Sequence, residues 1–508
     1  MIPLAKDIKI FEGKFTLKRD FSCFFEDGVS FSLDVFYNRL PGFKPTVSEQ
    51  KGDVNFLHDF SLLSEGYVLT VETESVEIRA GSESGAFYAF TTLLQLLDEN
   101  FSVKCCKVSD APRFSYRGIM LDVARHFFDK ETVKQLLDNM AYYKLNVFHW
   151  HLTEDQGWRI EIKKYPSLAP NACVRGDEQL NRNGKMAGRE YGRGMFFTQE
   201  DVKEIVEYAT QRNITVVPEI DMPGHITSAL SVFPELSCEG KPLDVAKTFG
   251  VKDTIGCVGN EKFISFTKDV LDEVCELFPS PFFHIGGDEV PKTKWEKCPK
   301  CQAFMNKHGI STENDLQGYF TNMIMEYLAA KGKMTMGWNE IIDSKNIRSD
   351  AVVQWWKGNK TLSWLKKGGK AVISKCSICY MDYPYTVTNL QKIYRLGPEI
   401  LCVPKSCINN VLGIEAPLWT EHVYDKDKFD FLMYPRLQAV AEAAWTQPKK
   451  KNFKDFERRL DKAFEDMKKQ GIKYCPKEKY NPVGLCGLKQ RLFVAKHIRQ
   501  NSDCEVDF

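Results

Sequence analysis

Two acids stand side by side in FHIGGDEV, Asp288 and Glu289, directly after Gly286 and Gly287. Adjacent carboxylates repel, which raises the proton affinity of at least one of them and suits a general acid working near neutral pH. Successive residues at a strand end point in different directions, so the pair can approach one substrate from separate positions. The glycines remove side chains where the backbone must come close to something. Acids ahead of Val290-Pro291 would also serve as the N-cap of a following helix, and the tetrad alone does not decide between these readings.

Further polar groups recur at the ends of apolar runs. Asp122 and Arg125-His126 follow RGIMLDV; His149 and His151 lie in NVFHWHL, with Glu154-Asp155 next. Glu219, Asp221 and Gly224-His225 end the third run, and Trp338-Asn339-Glu340 the fifth. Gln354 with Trp355-Trp356, Tyr380 with Asp382, and Trp419 with Glu421 close the remaining three. Buried charge without a purpose is costly, so a set contributed by every run points to a polar site. Arg125 and Glu421 suit the hydroxyls of a neutral sugar, and the tryptophans suit an apolar group that needs a dry aromatic box.

The elements that must position these groups read as strands at 117–123, 146–152, 214–220, 282–288, 333–338, 351–356, 370–375 and 412–419. Helical stretches at 131–144, 200–212, 261–277, 315–331 and 434–446 fall between or after them. Eight apolar strands alternating with helices predict an α/β fold, a (β/α)8 TIM barrel, whose active site lies at the C-terminal strand ends. Residues 1–112 alternate short apolar runs with turns and carry the helical stretch GAFYAFTTLLQLLDEN, as expected of a small α+β domain. Residues 113–447 form the expected barrel domain. Residues 448–508 form a C-terminal helical extension whose charged amphipathic helix, FERRLDKAFEDMKKQG, is expected on the barrel exterior.

The ordered series RGIMLDVARHF, NVFHWHLTEDQGWRIEI, VVPEIDMPGH, FHIGGDEV, MGWNE, VVQWW, YMD and APLWTE resembles glycoside hydrolase family 20, the β-N-acetylhexosaminidases, over the whole barrel and the small N-terminal domain. The resemblance implies an exo-acting, retaining enzyme that removes terminal β-GlcNAc or β-GalNAc. The substrate's own 2-acetamido oxygen then attacks the anomeric carbon, one of the exceptions to the two-carboxylate scheme of glycosidases. It implies Glu289 as acid and base, Asp288 as the group orienting the acetamide, and Arg125 and Glu421 on the sugar's outer hydroxyls. Trp338 and Trp356 wall the acetamido pocket, and Trp419 underlies the ring. Tyr380 donates to the acetamido oxygen, while Asp382 binds a hydroxyl or supports Tyr380. His225 forms a relay to Glu289 with an acid on the second strand. That acid is usually Asp; TEDQ puts Glu154 there and Asp155 next, which puts the residue in more doubt than the role. A closed pocket implies exo action, and a long insertion such as 172–198 would open it.

The same residues admit other readings. His149, His151, His225 and Asp288 resemble a barrel metal site, which would make a metal-dependent hydrolase, although strand histidines are more often hydrogen-bonded core residues. A glycan-binding barrel without turnover is a second alternative, and a hydrolase using Asp288 as nucleophile a third. No cofactor is called for, and the site set contains no metal. Lys+Arg 69 against Asp+Glu 68 gives no electrostatic case for nucleic acid or an anionic bilayer. The expected partner is an oligosaccharide or glycoconjugate ending in β-linked N-acetylhexosamine, with a homodimer left open.

The opening MIPLAKDIKIFEGKF has no apolar core of signal-peptide length, whereas the family precedent favours lysosomal or secreted proteins. Asn100, Asn213 and Asn359 head N-x-S/T triplets. Of 16 cysteines, Cys298/Cys301 and Cys376/Cys379 form Cys-x-x-Cys pairs. A surface disulfide or reduced thiols is the expectation for both, with a local zinc site shared with other cysteines as the alternative.

Overall fold

A computed structural model describes residues 1–181 and 183–482; the part of the expected C-terminal extension beyond 482 lies outside the described residues. The first portion is a seven-stranded sheet from Asp7–Thr16 to Ser102–Asp110, with the helix Glu83–Leu96 packed on it. Almost every residue of that helix is buried, so its continuous apolar run, rather than a stripe, is what the sheet demands.

Eight parallel strands then close into a barrel: β1 Tyr116–Asp122, β2 Val147–His151, β3 Thr215–Glu219, β4 Phe282–His284, β5 Met334–Trp338, β6 Val352–Trp355, β7 Lys370–Ile373 and β8 Val411–Leu418. Helices Lys130–Tyr142, Gln199–Thr210, Glu261–Leu277, Glu313–Ala330 and Arg436–Trp445 match the expected positions within a few residues. The first four starts are marked by caps: Asp129, Thr198, Asn260 and Thr312 each accept a backbone N–H of the first turn. The (β/α)8 barrel with a small N-terminal domain is therefore the fold.

β4 is shorter than the expected 282–288. Gly286 and Gly287 take φ of 64° and 88°, so the chain leaves the ladder before the two acids. A Cβ on Gly286 would fall 1.8 Å from Asp221 Oδ1, which is the close approach that the glycines permit.

The barrel interior is layered. Tyr116, Val147, Val217, Met336, Val352 and Val372 fill its lower part as an apolar plug. The N-terminal sheet and the barrel meet through Arg117 of β1, whose guanidinium lies 2.7 Å from Glu65 and 3.1 Å from the Tyr88 hydroxyl. The charged helix Phe453–Lys469 lies across both portions: Arg459 pairs with buried Glu442 and donates to the Met1 carbonyl at 2.9 Å. Among the triplet asparagines, Asn213 is half-buried and accepts from Ser84 Oγ at 2.9 Å.

Candidate active site

Above the apolar plug lies a buried polar layer that carries the site. His284 Nδ1, which accepts the Gly286 N–H at 3.1 Å, lies 2.9 Å from Glu219 at the end of β3, and Glu219 accepts from Trp338 Nε1 at 2.8 Å. His149 Nε2 lies 3.1 Å from it, and His151 Nδ1 also donates to it. His149 in turn donates through Nδ1 to Glu415 at 2.9 Å, an acid that Tyr116 and Gln354 also contact. Burial works against the Glu219 carboxylate, but the three surrounding imidazoles hold it well below the usual range. His149 and His151 are therefore hydrogen-bonded interior residues. Together with His225 and Asp288 they do not form one metal-ligand set: His149 groups with Glu219 and His284, and His225 with Asp221 and Asp288.

Asp288 and Glu289 follow the two glycines. They cap no helix, since the next one, Thr293–Lys297, begins at Lys292 without a side-chain cap. Asp288 Oδ1 is buried with no hydrogen-bond partner in the protein. Burial, reinforced by the charges of Glu340, Glu289 and Glu219, pushes Asp288 up to about 8 against the pull of His225. Beside it, Asp221 accepts the Gly287 N–H at 3.1 Å and is pushed far above the carboxylate range by burial and by Asp288.

Glu289 behaves oppositely. Burial raises its proton affinity, but the neighbouring His225 outweighs it, and the carboxyl ends below its ordinary value. The group with raised proton affinity in this pair is thus Asp288, not the expected acid. The reason is placement: Glu289 Oε2 sits 3.7 Å from His225 Nε2, whereas Asp288 faces other acids. Both Glu289 and His225 take positive φ, 49° each, an uncommon backbone state for such side chains that aims them at one another across two loops.

Behind His225 stands Glu154, whose Oε1 accepts from Nδ1 at 2.6 Å. Asp155 Oδ2 lies farther, at 3.3 Å, and its Oδ1 is taken by the Thr227 N–H at 3.0 Å. Burial lowers the proton affinity of His225, but Glu154 overrides it and holds the imidazole well above its ordinary value. The other oxygen of Glu154 lies 3.1 Å from the Arg125 guanidinium. Asp122 at 3.3 Å and Gln156 at 3.2 Å also hold Arg125, which spreads over the Trp419 ring at 4.9 Å. Glu421 is close enough to raise Arg125 electrostatically.

Four rings complete the pocket. Trp338 and Trp419 lie 5.5 Å apart, Trp356 stands nearly perpendicular to Trp338 at 6.4 Å, and Tyr380 runs parallel to Trp356 at 6.3 Å. They form one apolar cluster with Met120 and Cys376. Trp356 is fixed by its Nε1 donating to Glu340 at 2.7 Å, and Lys357 pairs with the same acid at 2.6 Å. Asp382, half-buried, follows Tyr380 by two residues in the loop after β7.

Thus all eleven residues singled out in the sequence lie on β-strand ends or the loops after them at one end of the barrel. Asp221, Glu340, His284 and Glu415 were not among them. Asp221 and Glu340 were visible only as strand-end acids. The insertion 172–198 packs against the Arg125 loop: Arg175 donates to the Arg125 carbonyl at 2.9 Å and to the Gln156 carbonyl at 3.2 Å. Neither Cys-x-x-Cys pair is a surface disulfide. All four cysteines are buried and none is disulfide-bonded, because both pairs open short helices that pack inward.

A parallel barrel that carries paired carboxylates and an aromatic box at its C-terminal strand ends defines a class of sugar-processing barrels. The model of the glycosyl hydrolase family 20 catalytic domain matches residues 114–448, and that of the family's domain 2 matches residues 1–111. The chain belongs to glycosyl hydrolase family 20.

Among curated relatives, a beta-hexosaminidase of Porphyromonas gingivalis is 39% identical over 81% of this chain and 55% of that protein. A beta-hexosaminidase of Akkermansia muciniphila is 32% identical over 79% of this chain and 83% of that protein. The chain thus spans about half the length of the first relative. Among solved structures, a GH20 exo beta-N-acetylglucosaminidase from Vibrio harveyi in complex with N-acetylglucosamine has a TM-score of 0.85 and 32% identity, covering 94% of this chain and 78% of that one.

Proposed function

We propose that the chain is an exo-acting, retaining β-N-acetylhexosaminidase that uses the 2-acetamido group of its substrate as nucleophile. The observation that carries this reading is the partnerless Asp288 oxygen beside a four-ring apolar box, with Glu289 held against the His225–Glu154 pair. The beta-hexosaminidase names of the relatives support it.

In the reaction, the acetamide methyl enters the box of Trp338, Trp356, Tyr380 and Trp419. The acetamido N–H donates to Asp288, and the Tyr380 hydroxyl donates to the amide oxygen. The amide oxygen attacks C1 while Glu289 passes a proton to the glycosidic oxygen, and the C1–O bond to the leaving group breaks. Positive charge spreads over the resulting oxazolinium ring. That charge and the N–H donor reverse the balance that raises Asp288 in the free site, so Asp288 acts as an anion once substrate is bound. Glu289, now a carboxylate steadied by His225, takes a proton from water, which adds to C1 on the face the leaving group left. Two inversions give retention. His225 and Glu289 share the mobile proton as a unit, with Glu154 fixing the imidazole. Arg125, Asp382 and Glu421 bind the outer hydroxyls and close the pocket beyond the terminal sugar.

The test is a panel of aryl β-GlcNAc, β-GalNAc and β-glucoside substrates with wild type and Glu289→Gln. Turnover of the two N-acetyl sugars and none of the glucoside is expected. Comparable turnover of all three would overturn the proposal. Activity retained after exhaustive chelation separates it from a metal-dependent hydrolase.

A further inference from the structure

Cys298 and Cys301 meet two cysteines far away in sequence, Cys238 and Cys257, at a point where two long loops touch. All four sulfurs lie within 4.8 Å of one another. The pairs measure 3.6 Å for Cys257–Cys301, 3.7 Å for Cys257–Cys298 and 3.9 Å for Cys238–Cys301. A disulfide needs about 2.05 Å between sulfurs, so none of these pairs is bonded. A tetrahedral tetrathiolate zinc ion, with Zn–S near 2.3 Å, sets its sulfurs about 3.8 Å apart. We propose that Cys238, Cys257, Cys298 and Cys301 bind one structural Zn²⁺ ion.

The surroundings fit such a site. Cys257 and Cys301 are fully buried, Cys298 is 4% exposed and Cys238 is half-buried, so four protein sulfurs supply a complete tetrahedral set with no open position for a substrate. Cys298 and Cys301 stand on the first turn of the helix Pro299–His308, the compact geometry of a Cys-x-x-Cys knuckle. The Gly259 N–H is directed at the Cys301 sulfur, the kind of contact that steadies a metal-bound thiolate. Gly259 must be glycine for this approach: a Cβ there would lie 2.3 Å from the Lys300 carbonyl. Binding converts four thiols to thiolates, releases four protons and leaves a net charge of 2−; Lys297 and Lys300 flank the knuckle in sequence. Sulfur-only tetrahedral donor sets are taken by zinc or iron, and zinc needs no redox partner.

The position gives the ion a purpose. Cys238 and Cys257 belong to the loop after β3 that carries His225, and Cys298 and Cys301 to the loop after β4 that carries Glu289. Within this joint, Gly256 donates to the Pro223 carbonyl at 2.9 Å and accepts from Trp295 Nε1 at 3.0 Å. The ion would pin the His225 loop to the Glu289 loop without touching substrate.

The test uses the full chain purified without a polyhistidine tag and dialysed against EDTA, with metal measured by plasma mass spectrometry. About one zinc per chain is expected. Exchange into Co²⁺ should give thiolate-to-cobalt charge-transfer and tetrahedral d–d absorption. Both signals should vanish in Cys257→Ser/Cys301→Ser and persist in Cys376→Ser/Cys379→Ser. If the first variant fails to fold, the wild-type zinc content and cobalt spectrum decide alone. Wild-type protein without zinc and with a featureless cobalt titration would overturn the proposal. So would iron in its place, or Cys238–Cys301 and Cys257–Cys298 disulfides in a non-reducing peptide map.

Discussion

Glu154 accepts the Nδ1–H of His225 at 2.6 Å, while its second oxygen lies 3.1 Å from the guanidinium of Arg125. One carboxylate therefore braces both the imidazole that faces Glu289 and the cation proposed to grip the sugar. Replacing Glu154 by Gln should lower kcat on the order of 10- to 100-fold, as removal of an orienting partner does, and should raise KM as well. Asp155→Asn should do less to kcat, since Asp155 reaches His225 only at 3.3 Å. Steady-state kinetics of both variants check the order; a reversed order would make Asp155 the relay acid.

Glu289→Gln should cut turnover by about 10²–10⁴ on substrates whose leaving group needs a proton. The loss should shrink on aryl glycosides with acidic phenols, which leave unaided. A uniform, small loss across the leaving-group series would mean the acid lies elsewhere.

His225 holds the Glu289 carboxyl below its ordinary value. His225→Asn removes that charge, so the proton affinity of Glu289 rises and the alkaline limb of kcat/KM, where the general acid loses its proton, should move to higher pH. An alkaline limb that stays in place would separate His225 from the titration of Glu289.

Burial and the neighbouring acids push Asp288 up to about 8 in the folded chain, against 3.8 ordinarily. The folded state thus holds this proton more tightly than the unfolded one, so its stabilising contribution is complete below about pH 4 and is lost as pH rises toward 8. Asp288→Asn should flatten the decline of thermal stability across that window. The same variant should lose kcat on the order of 10²–10³ while KM changes little, as for other groups that stabilise developing charge.

Glu219 is a buried anion held by His149, His151, His284 and Trp338. Glu219→Gln takes the anion from those groups and should cost about 3–5 kcal/mol of stability, read from denaturant unfolding. A loss within 1 kcal/mol would mean the layer rearranges around the change.

Much of this architecture is written locally. The strands are apolar runs broken by polar tips, and the helices carry caps and amphipathic spacing, so each element is legible within about ten residues. The aromatic box and the carboxylate pair occupy those tips, and their gathering follows once eight strands close into a ring. What is not legible depends on partners brought together by closure. His149 and Glu415 are 266 residues apart, and only the closed barrel makes them neighbours. Which of two adjacent acids keeps its proton is likewise set by His225, on another loop, and not by the Asp-Glu dipeptide. Cys238 and Cys301 meet across 63 residues, which no spacing rule anticipates.

The proposed reaction depends on an amide oxygen acting as the nucleophile, and a series of aryl β-glycosides bearing acetyl, fluoroacetyl, difluoroacetyl and trifluoroacetyl on the 2-amino group tests this most directly. Each fluorine withdraws electrons from that oxygen without enlarging the group much, so kcat/KM should fall steeply and regularly along the series. A flat series, with a glycosyl–Asp288 adduct trapped on quenching, would contradict it.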